Sequence, residues 1–326
     1  MDQKNETQPD QQTIEEILNL YKSGKLNKAK KKIENCIKKF PKSFVLFNIL
    51  GAVCAGQDEL EVAINHHKKS VEINPDYAEG YNNLGIAFQK LGLFEEAVKN
   101  YKKTLKLKPD FSLAYNNLGV VLKSLNKLDE ALLTSKKAIE LDPKFADAHN
   151  NIGAILQDLG NYEEAYKFYK KAIKLKSSYS EAYYNLGILL KKLGKIEECV
   201  ENFRKAVTVN QKNNRAYSNY LFNLNYLTKY DDNYYIEEAK KFGLSLKKID
   251  DQLCIPYKYN VNPKKLTVGF VSADLRNHPV GYYLIDTLKY LKKKNIKLVA
   301  YHNSTKTDDL TEKLKGHFDI WYNIKD

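Results

Sequence analysis

The chain has 326 residues, a formal net charge of +13 and 43% apolar residues, enough apolar material for a packed core and too much for a chain disordered throughout. Only three of its basic residues are arginine, Arg204, Arg215 and Arg276. The rest are lysines at recurring solvent-facing positions such as Lys102, Lys136 and Lys170, a pattern that argues against nucleic acid as a partner. Cys36, Cys54, Cys199 and Cys254 are scattered without a C-x-x-C pair, which suggests neither a disulfide framework nor a zinc site, and no metal is expected.

Residues 1–9, within "MDQKNETQPDQQ", read as a polar tail with no apolar targeting core, and no later apolar run is long enough to span a bilayer. A cytoplasmic protein with no membrane partner is expected.

From residue 10 to residue 213 the sequence repeats itself in six units. "NNLG" ending at Gly85 returns as "NNLG" at Gly119, "NNIG" at Gly153 and "YNLG" at Gly187, each step being 34 residues, with "NILG" at Gly51 before them. The same period links Ala29, Ala63, Ala97, Ala131 and Ala165, and also Pro41, Pro75, Pro109 and Pro143. Gly24, Gly92, Gly160 and Gly194 mark the turn inside a unit, with Asp58 and Asn126 filling the intervening turns. Within a unit Tyr81, Leu84, Gly85 and Phe88 form one helical stripe and Ala97, Tyr101 and Thr104 another. One such helix pair cannot bury its stripes alone, so stacking into a solenoid is the physical solution. Ser177 and Gln211 stand where proline is expected, which predicts less sharply defined boundaries there.

This pattern resembles the tetratricopeptide repeat. Phase assigns most of the chemically suggestive side chains to the core: Cys199 takes the alanine position, Cys36 a later small-residue position, Cys54 that of Phe88, His149 that of Tyr81 and His67 that of Tyr101. One position is not explained by packing. At about 100° per residue, Asn83 projects roughly 150° away from the buried stripe of its helix. Asn117, Asn151, Asn185 and, in a degenerate seventh unit, Asn219 repeat it. Asparagine is a poor helix former, whereas its amide both donates and accepts, as a peptide backbone requires. If the first helices line the inner wall of a superhelix, these residues make a ladder for binding polypeptide; the alternative is that they bond to water or to each other. Asn82, Asn116 and Asn150, one residue earlier, are expected to be structural.

After residue 213 the register decays through a transition of tyrosine-rich helix over residues 214–255, and a linker over 256–264 carries Pro256 and Pro263. Over residues 265–326 the period changes: "LTVGFVS" reads as strand, "PVGYYLIDTLKYLKK" as helix, "IKLVAYHN" as strand, "TDDLTEKLKGHF" as helix and "DIWYNI" as strand. Such alternation predicts parallel β/α units, with ligand sites at the carboxyl ends of the strands and one sheet face left uncovered by so short a segment.

"LTVGFVSADLRNHPVGYYL" and "VAYHNSTKTDDLTEKL", following tetratricopeptide repeats and "YLFNLNYL", resemble the start of the catalytic region of the O-linked N-acetylglucosaminyltransferase and SPINDLY family. The resemblance implies a mainly α chain, a right-handed tetratricopeptide-repeat superhelix followed by an incomplete Rossmann-like α/β segment, the beginning of a GT-B N-terminal lobe. It implies an inverting glycosyltransferase that moves a sugar from a nucleotide-sugar, UDP-GlcNAc or the fucosyl equivalent, to Ser or Thr of acceptor polypeptides held by Asn83, Asn117, Asn151, Asn185 and Asn219. No cofactor beyond that donor is implied, and a homo-oligomer is compatible with it. Carried over, the family's active-site histidine falls on His278, with Asp274 in the same loop; a His-Pro helix start with Asn277 as cap is the bland alternative. Lacking a second lobe, the chain alone is expected to bind peptide without turning over sugar. The competing reading is a non-catalytic tetratricopeptide scaffold.

Overall fold

The computed structural model describes residues 8–228, 230–250, 266–272, 274–277, 279–292, 296–304 and 307–324. It divides into two compact units, Met1–Asp251 and Gln252–Asp326.

The first unit is a superhelical array of helix pairs. These are α1 (Gln11–Lys22) with α2 (Leu26–Lys39), α3 (Phe44–Gly56) with α4 (Leu60–Ile73), α5 (Ala78–Lys90) with α6 (Phe94–Leu107), α7 (Ser112–Ser124) with α8 (Leu128–Leu141), α9 (Ala146–Asp158) with α10 (Tyr162–Leu175), and α11 (Ser180–Lys192) with α12 (Ile196–Val209). Each turn inside a pair has one left-handed residue: Gly24, Asp58, Gly92, Asn126, Gly160 and Gly194 have φ between 59° and 81°. At Gly92 the reason is the hydrogen bonding that ends α5. The Gly92 N–H donates to the Gln89 carbonyl at 3.1 Å and the Leu93 N–H to the Phe88 carbonyl at 2.9 Å, a closure that requires the left-handed residue between them.

Pairs pack through a small-to-large contact. A Cβ placed on Gly85 would lie 2.7 Å from the Tyr101 ring, and one on Gly153 2.8 Å from the Tyr169 ring. Only a bare backbone lets the two helices close this far. Ala97, Ala131, Ala165 and Cys199 are buried on the facing helix, so Cys199 acts as a small core residue. His149 is also buried and donates from Nε2 to the Pro143 carbonyl at 3.0 Å.

The unit boundaries at Ser177 and Gln211 are as sharp as the others, contrary to the sequence expectation. The Lys176 N–H closes on the Ala172 carbonyl at 2.9 Å, as Lys108 does on Thr104 at 2.8 Å beside Pro109. The helices before Ser177 and Gln211 end at the same point of the repeat as those before Pro109 and Pro143, so proline is not needed to stop them.

Beyond the pairs, α13 (Asn214–Leu224) and α14 (Asp232–Asp250) finish the unit. Their aromatic side chains meet one another: the Tyr217 and Phe242 rings lie 4.7 Å apart and the Tyr220 and Tyr234 hydroxyls share a hydrogen bond of 3.0 Å. The predicted linker over 256–264 lies outside the described residues.

In the second unit β1 (Leu266–Ser272), α15 (Pro279–Lys292), β2 (Ile296–His302), α16 (Asp309–Lys315) and β3 (Ile320–Asn323) alternate. Among the described residues the strands form one parallel sheet in the order β1-β2-β3, with Ser272 opposite His302 and His302 opposite Asn323. Leu298 and Ala300 face a core of Leu275, Leu288, Leu310, Leu314 and Phe318, contributed by both helices and the flanking loops. On the other face Val271 is 68% exposed and Tyr322 47% exposed. Among the described residues this part holds three parallel strands and two helices, which do not establish a Rossmann-like segment.

The glycine contact gives a direct expectation. Gly153→Ala pushes a methyl group into the Tyr169 ring and destabilises the array by about 1–3 kcal/mol. A urea titration checks it, and an unchanged midpoint with an unchanged slope contradicts it.

Candidate functional site

First helices of successive units touch one another, α3 with α5, α5 with α7, α7 with α9 and α9 with α11, and form a continuous inner layer. Asn83, Asn117, Asn151 and Asn185 lie half-buried along it. Their amides are not free. Asn83 Nδ2 donates to Asn48 Oδ1 at 3.1 Å, Asn117 to Asn82 at 3.3 Å, Asn151 to Asn116 at 2.8 Å and Asn185 to Asn150 at 3.0 Å. The receiving residues Asn82, Asn116 and Asn150 are 2%, 6% and 3% exposed, so each bond both satisfies a buried oxygen and ties one unit to the next. One N–H of every ladder amide is thereby committed and its plane is fixed. At Asn83 the oxygen also receives a long bond of 3.5 Å from Asn82 Nδ2. At Asn117, Asn151 and Asn185 no further bond to Oδ1 or the second N–H is made among the described residues, which leaves them to solvent or a ligand.

The ladder stops at Asn185. Asn219 donates instead to the Arg215 carbonyl of its own helix at 2.9 Å, because buried Tyr184 stands where an acceptor asparagine would have to be. Asn48 extends the network at the other end and was not singled out by sequence reasoning. Its membership in "NILG", in phase with Asn82, is the signal that could have found it.

Beside the amides runs an apolar line of half-buried Ile86, Val120, Ala154 and Ile188, three residues after each ladder position and so on the same helix face. Exposed Lys90, Ser124, Asp158 and Lys192 form the rim one turn further, where Lys123 also reaches Asp158 at 2.7 Å. The surface is thus a row of amides, a row of aliphatic groups and a mixed-charge edge.

At its amino-terminal end the network includes His67. Its Nδ1 lies 3.0 Å from Asn48 Oδ1, and Asn48 Nδ2 donates to the Tyr77 hydroxyl at 3.1 Å. Burial, reinforced by neighbouring His66, pushes the His67 imidazole down to about 4, so the ring is neutral at physiological pH.

In the second unit the loop after β1 folds back on the start of α15. Buried Gly281 faces the carbonyl of Asp274, which a Cβ on Gly281 would approach to 3.2 Å, and the Asn277 N–H donates to Asp308 Oδ2 at 2.6 Å. That bond ties the loop to the amino end of α16 and, with the Thr311 contacts, holds the Asp308 carboxyl below its usual range. Asp274 is 3.8 Å from Arg276 Nη2, and its backbone N–H donates to Ser272 Oγ at 3.0 Å. His278 lies outside the described residues. His302, which sequence reading took only as the end of a strand, is fully buried beside Trp321 with both ring nitrogens unpartnered among the described residues. Its place two residues after Ala300, on the core-facing side, was the available signal.

Models of the tetratricopeptide repeat match residues 78–111, 146–179 and 180–213, and another matches 100–132. A TPR repeat model matches 51–92 and 121–160. Together these cover residues 51–213 without a gap. No curated protein matches the sequence. Among solved structures, the Cut9–Hcn1 hetero-tetramer of the APC/C is similar with a TM-score of 0.61 at 16% identity, over 70% of this chain and 45% of that one. PilF of Pseudomonas aeruginosa is similar at 0.52 and 20% identity, over 62% and 90%. TTC0263, a thermophilic TPR protein of Thermus thermophilus, is similar at 0.51 and 22%, over 56% and 99%. These likenesses concern the fold. Among the described residues no helix is long and apolar enough to cross a membrane.

The bonded ladder changes what an asparagine substitution does. Asn151→Ala strips the donor from buried Asn116 Oδ1 and lowers stability by about 1 kcal/mol. Leu133→Ala, at an exposed position of α8, serves as the control in the same thermal melts, and equal stability of the two variants contradicts the inter-unit role.

Proposed function

Given a chain that belongs to the tetratricopeptide-repeat family, we propose that its repeats are a scaffold that binds an extended segment of a partner polypeptide along the inner layer. The observation that carries this reading is the ladder of half-buried amides held in fixed orientation by Asn-to-Asn bonds. Helices in direct contact sit about 8–10 Å apart and an extended chain advances about 3.3 Å per residue, so successive amides fall opposite every third peptide group. Asn117, Asn151 and Asn185 then each offer an acceptor and a donor to the main chain whatever side chain the peptide carries. The aliphatic line of Ile86, Val120, Ala154 and Ile188 supplies side-chain burial beside it.

A second reading, that the repeats present acceptor polypeptide to a protein O-glycosyltransferase lobe, is favoured by one observation: the parallel order β1-β2-β3 with the Asp274–Asn277 loop at the carboxyl end of β1. In it Asp274 and His278 border the reacting hydroxyl, and UDP-GlcNAc is the donor. Titration of UDP-GlcNAc into protein made from the whole coding frame discriminates: saturable binding, with peptide transfer lost in His278→Ala, supports the enzyme, and absence of binding removes it.

For the groove itself, the test selects a tight binder from random unstructured peptides and measures it against the full chain by calorimetry. Val120→Glu with Ile188→Glu places two carboxylates on the aliphatic line without touching the inter-unit amide bonds. Affinity is expected to fall at least about tenfold with helicity unchanged. Equal affinity in the double variant would falsify the groove.

A further inference from the structure

The pairs built from α5 with α6 and from α9 with α10 are filled in the same way. Tyr101 lies across Gly85 and its hydroxyl donates to Gln89 Oε1 at 2.8 Å; Tyr169 lies across Gly153 and its hydroxyl reaches Gln157 Oε1 at 3.3 Å. In the pair of α3 with α4 the corresponding residues are His67 and Ala55. His67 still lies across its glycine, since a Cβ on Gly51 would come within 2.7 Å of the imidazole. The helices are therefore held apart by a ring, yet the phenolic hydroxyl and the glutamine that fill the space beyond it in those two pairs are both missing.

What remains is a cavity of about 170 Å³. Ala52 and Ala55 of α3 and Ile86 and Ala87 of α5 form apolar walls, and His67, only 2% exposed, is at its base. Asn83, the first rung of the ladder, and exposed Lys90 also border it, as do Gly56 and Tyr21 of α1, so it adjoins the groove at the ladder's first rung.

The chemistry at the base is fixed by the tautomer. Asn48 Oδ1 can only accept, so the proton of the neutral imidazole is on Nδ1 and Nε2 presents a lone pair. A cavity of about 150 Å³ accommodates a benzene ring, which matches the size found here. An apolar ring-sized space with an acceptor at its end is complementary to a phenol. A carboxylate would meet the Nε2 lone pair, an ammonium would have to pass Lys90, and a serine or threonine would leave most of the walls unfilled.

We infer that the groove has a side-chain pocket between α3 and α5 that takes a tyrosine of the bound peptide, its hydroxyl donating to His67 Nε2. The inference rests on the peptide-groove reading above, and its test separates the two. The probes are N-acetyl-tyrosinamide and N-acetyl-phenylalaninamide, titrated into the full chain while the His67 ring resonances are followed. The tyrosine probe is expected to bind roughly fivefold more tightly than the phenylalanine probe, the worth of one neutral hydrogen bond. Ala55→Gln fills the space from α3 without altering His67 and is expected to abolish binding of both probes. His67→Tyr with Ala55→Gln, which rebuilds the arrangement around Tyr101, should do the same and remain folded because the third and fifth pairs already accommodate it. Equal affinity for the two probes, or probe binding that survives Ala55→Gln, overturns the pocket. Peptides that bind in the groove with no gain from tyrosine overturn the pocket and leave the groove standing. Probe binding at His67 with no peptide binding overturns the groove reading and leaves the phenol site supported.

Discussion

A glycine backbone laid against a ring sets the spacing of the helix pairs, and the rest of the array follows from it. Gly85 on Tyr101, Gly153 on Tyr169 and Gly187 on Phe203 put the first and second helices of those units at a separation no side chain on the glycine would permit. With Gly85 and Gly153 turned to their rings, the asparagine two residues before each lies about 160° round the helix and the one three residues before lies about 60° round it. One is buried between units and the next is half-buried on the inner layer. The amide bond between neighbouring units is a consequence of that rotation repeated at constant spacing.

Repetition also makes departures informative. Ser135 takes the ring position in the fourth pair and is fully buried with its hydroxyl unpartnered, while Lys123, at the Gln89 position, turns outward to Asp158. His67 is the opposite case: it keeps the ring, keeps the helices apart, and surrenders only the far end of the filling. A cavity lined by alanine and isoleucine side chains survives there because the backbone cannot collapse past an imidazole held by Asn48.

Much of this was legible in the sequence because it depends on local constraints. Asp58 and Asn126 could be placed in the same turns as four glycines since few residues tolerate a left-handed backbone. The strands and helices after residue 265 were readable from the change of period alone. What sequence could not supply was relations across units. The bond from Asn151 to Asn116 joins residues 35 apart, one more than the repeat, and follows from how adjacent first helices are offset in space. Proline was over-weighted at the unit boundaries, since the helices before Ser177 and Gln211 end at the same point of the repeat as those followed by proline. His67 was placed correctly in the core, but its significance lies in the coincidence with Ala55, twelve residues earlier, which only the Tyr101–Gln89 and Tyr169–Gln157 pairs bring out.

The amide network bears on affinity as well as on stability. A groove lined by freely rotating side chains must order each of them when a peptide arrives, at a cost of about 0.5–1.5 kcal/mol per side chain. Asn117, Asn151 and Asn185 have met that cost on folding, because the same bond that joins the units fixes the amide plane. Their remaining donor and acceptor are therefore aimed before a ligand is present, and each rung lies beside an aliphatic residue of the same helix face. Main-chain bonds of this kind are indifferent to sequence, so selectivity has to come from where side chains can be buried. Along this layer one such place is at the end of the ladder next to Asn83, where His67 leaves room for a ring.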